Sequence, residues 1–177
     1  MKRYLSSEDS MFLRESLAPY SGETCLEIGF GSGSNLALLS EKFDFVVGTD
    51  IFDIQEARNR ARSSGEVVLA DRATCFRDST FELVVFNPPY LPSDSIVDFA
   101  VDGGAGGIQI PMMFLDDALR VLKPSGRILM LLSSEDDLEA FQRCCVDRGL
   151  TVRATKEKRI FYERLVVYEI EEPTKEG

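Results

Sequence analysis

The stretch EIGFGSGSN (27–35) decides the fold class of this chain of 177 residues. It follows a short β-rich run, TCLEI (24–28), and precedes a segment of helical composition. Three glycines in it, Gly29, Gly31 and Gly33, let the backbone turn tightly and approach a ligand with no Cβ in the way. A strand, a glycine loop and a helix in this order predict the first unit of a doubly wound α/β sheet.

The rest of the chain alternates β-rich runs with segments of helical composition. The β-rich runs lie at 45–50, 66–71, 81–86 and 127–133, and the helical segments lie at 35–42, 51–64, 110–122 and 135–149. Two further β-rich runs, 151–159 and 161–170, predict an antiparallel C-terminal hairpin. This order predicts one Rossmann-like α/β domain over residues 1–177, with a seven-stranded, mostly parallel sheet. Ligands of such sheets bind beyond the carboxyl ends of the strands.

The composition is that of an ordinary soluble globular protein, with 44% hydrophobic and 28% charged residues. No apolar run approaches the roughly 20 residues that span a bilayer, and the first ten residues lack the apolar stretch of a secretory signal. We therefore expect a cytoplasmic protein. Its four cysteines lack CxxC spacing, which favours reduced, mostly buried thiols over disulfides or a metal site.

A formal net charge of −10 and the absence of histidine narrow the possible chemistry. Without histidine the chain lacks both the commonest general base and the commonest metal ligand. An acidic surface repels phosphate backbones, whose neutralisation by lysine and arginine dominates affinity for nucleic acids. The most basic tract, RATKEKR (153–159), is expected to be a solvated strand end. The charge argues against a nucleic-acid substrate without excluding one.

Acidic residues around the glycine loop indicate which cofactor it binds. Asp50 ends the second predicted strand, where a carboxylate accepts both hydroxyls of a ribose. The loop has the spacing GxGxG, whereas the NAD fingerprint is GxGxxG. Glu27 precedes the loop, where its carboxylate would repel the pyrophosphate of NAD but suits a cationic ligand. Asp71 ends the third strand, where it either accepts the adenine amino group or starts a turn. We therefore expect S-adenosylmethionine, which carries an ammonium and a sulfonium, ahead of NAD or a purely structural turn.

A second stretch, VVFNPPYLPSD (84–94), ends the fourth predicted strand with two prolines and an aromatic ring. The topology brings Asn87 beside the glycine loop. The side-chain carbonyl of Asn87 and the main-chain carbonyl of Pro88 can each accept one N–H of a planar amide or exocyclic amine, and Tyr90 offers a face for stacking. The prolines make these directions rigid, so positioning rather than a histidine base would carry methyl transfer to such a nitrogen.

NPPY in this setting resembles the amino methyltransferases that modify planar nitrogens. Within them the chain is similar to the HemK-like release-factor glutamine methyltransferases. The similarity includes YLSSEDS (4–10), GGAGG (103–107), KPSGRILML (123–131) and RLVVYEI (164–170), and it covers nearly the whole chain. It implies a class I S-adenosylmethionine-dependent methyltransferase that methylates N5 of the glutamine in the Gly-Gly-Gln loop of a class I translation release factor.

The resemblance also implies roles for individual residues. Asn87, Pro88 and Tyr90 would be catalytic, and Asn87, Pro89 and Tyr90 would contact the substrate. The cofactor contacts it implies are Tyr4, Glu8, Ser10, Glu27, Gly29, Gly31, Gly33, Asp50, Ile51, Asp71 and Asn87. Glu8 and Asp9 either close over the cofactor or cap a first helix. No metal ligand is expected.

Two departures from the family pattern bear on partners and substrate. The chain starts almost at the catalytic domain, as in the archaeal and eukaryotic branch, whose members act with a small zinc-binding activator subunit. Such a partner would cover the third strand, where VVLA (67–70) presents an open edge. Ile108 stands where the glycine segment usually continues with arginine, and the role of that arginine is in doubt here.

Two other functions remain open. An N6-adenine or other exocyclic-amine methyltransferase acting on DNA or RNA shares NPPY, but on duplexes it would need base flipping and a basic tract that the sequence lacks. A non-catalytic subunit that only binds a partner predicts a broken cofactor loop or a broken NPPY, and both are intact. The glycines at 103–107 are explained equally by a mobile lid and by a flexible loop.

Overall fold

The computed structural model describes residues 8–52, 65–98, 101–160 and 163–173. Its strands are β1 Gly22–Ile28, β2 Phe43–Asp50, β3 Gly65–Leu69, β4 Phe81–Phe86, β5 Leu91–Pro92, β6 Asp102–Gly104, β7 Leu122–Ser133, β8 Thr151–Ile160 and β9 Glu163–Glu171. Its helices are α1 Glu8–Ser16, α2 Ser34–Leu39, a 3₁₀ turn Ala105–Gly107, α3 Gln109–Val121 and α4 Leu138–Asp147. Tyr4 lies outside the described residues. So does the helix predicted at 51–64, apart from its first two residues.

Seven strands form one sheet in the order β3-β2-β1-β4-β7-β9-β8. The first five are parallel to one another, and the hairpin of β8 and β9 joins β7 in antiparallel orientation. The mostly parallel Rossmann-like sheet and its C-terminal hairpin are confirmed. As expected, β3 lies at one edge, and β8 forms the other.

The register of the central strands brings the two informative stretches together. Ile28, the last residue of β1, pairs with Thr49 of β2 on one side and with Phe86, the last residue of β4, on the other. Gly29 and Asn87 therefore leave neighbouring strands at the same level. Both lie at the carboxyl edge of the sheet, where doubly wound folds bind their ligands.

The structure corrects the boundaries around KPSG. The sequence predicts a helix end there and a strand from Arg127, whereas β7 begins at Leu122, directly after α3. Ser125 has a φ of 64°, and the pairing with β4 shifts register between Phe81 and Leu83. The predicted helix end is confirmed within one residue, since α3 ends at Val121. The predicted strand start was wrong, because residues 123–126 bulge out at the start of β7 instead of forming a separate loop.

Three predictions from composition concern the cysteines, the basic tract and membrane-spanning helices. All four cysteines are free, but only Cys25 and Cys145 are buried, while Cys144 is half-buried and Cys75 is exposed. The basic tract 153–159 lies on the edge strand β8, whose side chains are largely exposed. In the part of the chain that the structure describes, no helix is long and apolar enough to cross a membrane.

Candidate active site

The glycine loop leaves β1 at the carboxyl edge of the sheet. Gly29, Gly31 and Gly33 have φ angles of 74°, 49° and 73°, a conformation that glycine adopts without strain. A Cβ placed on Gly29 or Gly31 would meet no atom within 4 Å. The backbone conformation therefore explains the need for glycine, and the open space beside these two residues fits a ligand lying against the loop.

Glu27 is the buried acid beneath this loop. Only 3% of the residue is exposed, and its Oε1 accepts a hydrogen bond of 2.8 Å from Nδ2 of Asn35. Its Oε2 is buried and has no hydrogen-bond partner among the described residues. Burial raises the pKa of Glu27 to about 8; Asp50 also raises it, while the bond from Asn35 lowers it. This carboxyl fits a cationic ligand, because a positive charge stabilises its ionised form.

Asp50 ends β2 and fixes the glycine loop. Its Oδ2 accepts a hydrogen bond of 3.0 Å from the main-chain N–H of Gly31, and its Oδ1 accepts one of 3.0 Å from Phe52. Each carboxylate oxygen keeps a further lone pair for a ribose hydroxyl. Ile51 follows with its side chain exposed, so it offers apolar surface beside the loop.

Asp71 follows β3 and is held by an arginine that the sequence did not single out. Its Oδ1 pairs with Nη1 of Arg72 at 2.9 Å, and Nε of Arg72 donates to Asp117 of α3 at 2.7 Å. Arg120 of the same helix donates to two main-chain carbonyls in 73–76, each at 2.8 Å. Helix α3 thus positions the segment proposed to bind adenine. No pattern in the sequence marks this network, because its partners lie on different elements.

Asn87 directly follows β4, and its side-chain oxygen is the most informative atom of the site. Oδ1 is buried and accepts no hydrogen bond from any residue that the structure describes. A buried acceptor without a donor costs about 1–3 kcal/mol, and such groups are rare in native proteins. The cost is offset when a ligand supplies the donor. Pro88, buried, and Pro89, half-buried, then hold the following turn rigid.

Tyr90 is anchored by the N-terminal helix. Its ring belongs to the hydrophobic core, and its hydroxyl donates a hydrogen bond of 2.9 Å to Oδ2 of Asp9. Most of the ring is therefore covered, and stacking of a substrate on it stays a prediction. Arg14, also in α1, donates to the main-chain oxygen of Ser34 at 2.6 Å. Helix α1 thus contacts both loops.

The start of α1 carries two residues predicted to contact the cofactor, Glu8 and Ser10. Glu8 is the first residue of the helix and is exposed, whereas Ser10 is half-buried. Asp9, predicted either to close over the cofactor or to cap the helix, is the residue that bonds Tyr90. The contacts of Glu8 and Ser10 with the cofactor stay predictions.

The glycine-rich segment 103–107 pairs with the residues after NPPY. The main-chain N–H of Leu91 donates to Val101 at 2.9 Å, and that of Ser93 donates to Gly104 at 3.1 Å. These bonds accompany the pairing of β5 with β6, a short parallel pair that the sequence analysis did not predict. The segment is thereby tied to the stretch that carries Asn87.

Two glycines of this segment lie directly against the backbone of Tyr90. A Cβ on Gly103 would come within 2.7 Å of Cα of Tyr90, closer than real Cβ contacts come. A Cβ on Gly107 would overlap the main-chain oxygen of Tyr90 and Oδ1 of Asp136. Close packing therefore requires these glycines, a reason that the sequence alone does not provide. Asp136 is a site residue that sequence reasoning missed.

Ile108, at the end of this segment, contributes packing. Its side chain is partly buried against the hydrophobic core, and its main-chain oxygen accepts a 2.9 Å hydrogen bond from Met112 in α3. An aliphatic residue here thus fixes the helix start without a charge. Within the described ranges, no group of three or more Cys, Asp or Glu residues is arranged to hold a metal ion.

Comparison with known sequences finds methyltransferases among the relatives of this chain. No protein-family profile matches the chain. A Methanocaldococcus jannaschii protein assigned as a protein N5-glutamine methyltransferase is 29% identical over 175 residues, which cover 93% of this chain and 89% of that protein. The release factor glutamine methyltransferase of Caulobacter vibrioides is 30% identical over 122 residues. That match covers 57% of this chain and 42% of the relative, so this chain spans under half of the bacterial protein.

Solved structures agree on the fold. The E. cuniculi Mtq2-Trm112 complex methylates the translation termination factor eRF1. One of its chains superposes on this chain with a TM-score of 0.81 at 24% sequence identity. The superposition covers 98% of this chain and all of the other. The N-methyltransferase NodS of Bradyrhizobium japonicum, bound to S-adenosyl-L-homocysteine, gives a TM-score of 0.66 at 17% identity over 93% and 85% of the two chains. The fold is that of S-adenosylmethionine-dependent methyltransferases, and the glycine loop, Glu27 and Asp50 fit this cofactor.

Proposed function

The chain is a relative of the HemK-like release-factor glutamine methyltransferases, and from this premise we propose that it methylates N5 of a glutamine side chain in a class I translation release factor. The observation that carries the proposal is Oδ1 of Asn87 beside the glycine loop, which is buried and has no hydrogen-bond partner among the described residues. S-adenosylmethionine supplies an electrophilic methyl group. The reaction takes place where translation does, in the cytoplasm.

The chemical task is to expose the lone pair of an amide nitrogen, which is normally delocalised into the carbonyl. Oδ1 of Asn87 accepts one N–H of the glutamine amide, and the main-chain oxygen of Pro88 accepts the other. With both protons held, the nitrogen lone pair is directed towards the methyl group as the nitrogen rehybridises. The methylated nitrogen is acidic and loses one proton to water, so no histidine is required. Acceptors fixed in advance of the reaction supply the stabilisation.

The structure around NPPY supports such fixed positioning. The prolines restrict the backbone on the carboxyl side of Asn87. Tyr90 is held by Asp9 on one side, and its backbone is packed against Gly103 and Gly107 on the other. A misplacement of about 1 Å is enough to cost on the order of a hundredfold in rate, which explains why three separate contacts, with Asp9, Gly103 and Gly107, converge on one turn.

We also propose a small activator subunit that docks on the edge strand β3. This strand pairs with β2 on one side, and Leu69 on it is 60% exposed. The opposite edge, β8, carries Arg153 and Lys158, and charged edge strands discourage pairing with other chains. The contrast favours β3 as the docking edge. The E. cuniculi relative was solved together with Trm112; any zinc would belong to such a partner.

A methyl-transfer assay with competing substrates tests the proposed function. Tritiated S-adenosylmethionine is offered with release factor, DNA and tRNA in parallel, with and without a Trm112-type subunit. We expect label in the release factor alone, on the glutamine of its Gly-Gly-Gln loop by peptide mass spectrometry, and none in a release factor whose glutamine is replaced by alanine. Label in DNA or tRNA instead would favour the exocyclic-amine alternative.

A further inference from the structure

Asp136 is a buried acid that the proposed reaction does not use. It lies in the loop between β7 and α4, beyond the carboxyl end of the strand that neighbours β4. Only 6% of the residue is exposed, and its Oδ2 accepts a hydrogen bond of 2.8 Å from the main-chain N–H of Ser133. Its Oδ1 is also buried and accepts nothing from the described part of the chain.

Oδ1 of Asp136 faces the backbone of NPPY across a glycine. A Cβ on Gly107 would overlap both Oδ1 of Asp136 and the main-chain oxygen of Tyr90, so the two oxygens border the same methyl-sized space. Gly107 has a φ of 72°, and the next residue of the loop, Asp137, donates its main-chain N–H to Gly106 at 2.9 Å. The loop and the glycine segment are thus held in fixed contact.

Two oxygen atoms that border one buried space repel each other unless a proton lies between them. A neutral carboxyl supplies that proton, because its hydroxyl donates while its other oxygen still accepts from Ser133. The surrounding charges favour this form. Glu163 of β9 and Glu135 of the same loop are both acidic, and the glycine segment 103–107 carries no charged side chain. Burial, followed by these two glutamates, raises the pKa of Asp136 to about 7, while the bond from Ser133 lowers it.

We propose that Asp136 is a positioning residue for methyl transfer: in its neutral form it donates a hydrogen bond to the main-chain oxygen of Tyr90 and thereby fixes the turn that carries Asn87 and Pro88. Because Asp136 is buried behind Gly107, it acts through that turn and not on the substrate. The inference rests on the proposed function, since a change in kcat presupposes the transfer reaction.

The test compares variants that keep or remove the donor. Asp136→Asn retains an N–H donor that never ionises, whereas Asp136→Ala has none; Asp147→Asn, exposed at the end of α4, is the matched control. Methyl transfer is measured from about pH 6 to about pH 9. We expect the wild-type kcat to fall as pH rises through about 7, where Asp136 loses its proton. Asp136→Asn should keep kcat within a few-fold without that fall, and Asp136→Ala should lose about tenfold or more at every pH.

A measurement without substrate separates this inference from the proposed function. Hydrogen exchange at the Leu91 amide reports how well the turn is held, since this N–H donates to Val101. At high pH we expect the protection of Leu91 to be lower in wild type than in Asp136→Asn. If wild type labels no release factor at any pH, the proposed function fails while the exchange result still decides the inference. An Asn variant as inactive as the Ala variant, or an Ala variant with wild-type kcat, would overturn the role of Asp136.

Discussion

The hydroxyl of Tyr90 donates a hydrogen bond to the carboxylate of Asp9, 81 residues earlier in the chain. This bond joins the N-terminal helix to the turn that carries Asn87, and Arg14 of the same helix joins it to the start of α2. Two motifs that are distant in sequence are therefore one structural unit around the site. The order of the NPPY turn depends on α1 being in place.

Tyr90→Phe removes the hydroxyl and leaves the buried Asp9 carboxylate without this donor. We expect the free energy of unfolding to fall by about 1–3 kcal/mol in urea titrations, and kcat to fall with it. Tyr168→Phe is the matched control, because Tyr168 is also buried and hydrogen-bonded, to Gln142, but lies on β9, two strands from β4. Equal losses of kcat in both variants would show that Tyr90 contributes only general stability.

Asn87→Ala deletes the side-chain oxygen that is proposed to hold the substrate amide. The expected result is a loss of about a hundredfold or more in kcat, as when one fixed polar contact to a transition state is removed. The Kd for S-adenosylmethionine, from isothermal titration, should stay within a few-fold. Gln142→Ala, on α4, serves as the control amide. Transfer that persists in Asn87→Ala would contradict the mechanism.

Gly103→Ala tests whether the packed glycine segment positions NPPY. Its Cβ would come within 2.7 Å of the Tyr90 backbone, so the turn must shift, and we expect kcat to drop about tenfold or more. Gly149→Ala is the control: its φ of 75° makes alanine unfavourable, but its Cβ would meet no atom within 4 Å. It should lower the free energy of unfolding by about 1 kcal/mol and leave kcat unchanged.

The site residues that could be predicted from the sequence are those with a local backbone requirement. Positive φ angles require Gly29, Gly31 and Gly33, and two prolines mark the turn after Asn87. Alternation of strands and helices then fixes the sheet order well enough to bring Gly29 and Asn87 together.

The residues that it missed depend on contacts between distant segments. Asp136 acquires its position only because Gly107 lacks a side chain, and the two residues belong to different elements. The hydrogen bond of Asp9 with Tyr90 was also missed, because the two residues meet only in the folded chain. Arg72 carries no motif, and its link to α3 follows from the tertiary fold. Such pairings require three-dimensional register, which single-sequence patterns do not contain.

The stability of the protein without cofactor should depend on pH through Glu27. Its pKa is about 8 in the folded protein against an ordinary 4.5, so the folded state holds this proton more tightly than the unfolded state does. Its contribution to stability is therefore present below about pH 4.5 and is lost as pH rises to about 8. Across this window the free energy of unfolding of wild type should fall relative to that of Glu27→Gln. Parallel pH profiles of the two proteins, from urea titrations, would contradict the assignment.

The open edge of β3 leads to a prediction about the activator. Leu69→Glu places a charge at the exposed apolar position of this strand and should weaken binding of a co-expressed Trm112-type subunit tenfold or more, because a carboxylate buried in an interface loses its hydration. Val146→Glu, on α4, is the matched control, since Val146 is 67% exposed and lies away from β3. Co-purification and titration calorimetry measure both variants. If only Val146→Glu loses the subunit, the docking surface is near α4; if neither does, the partner does not use the apolar position of the edge strand.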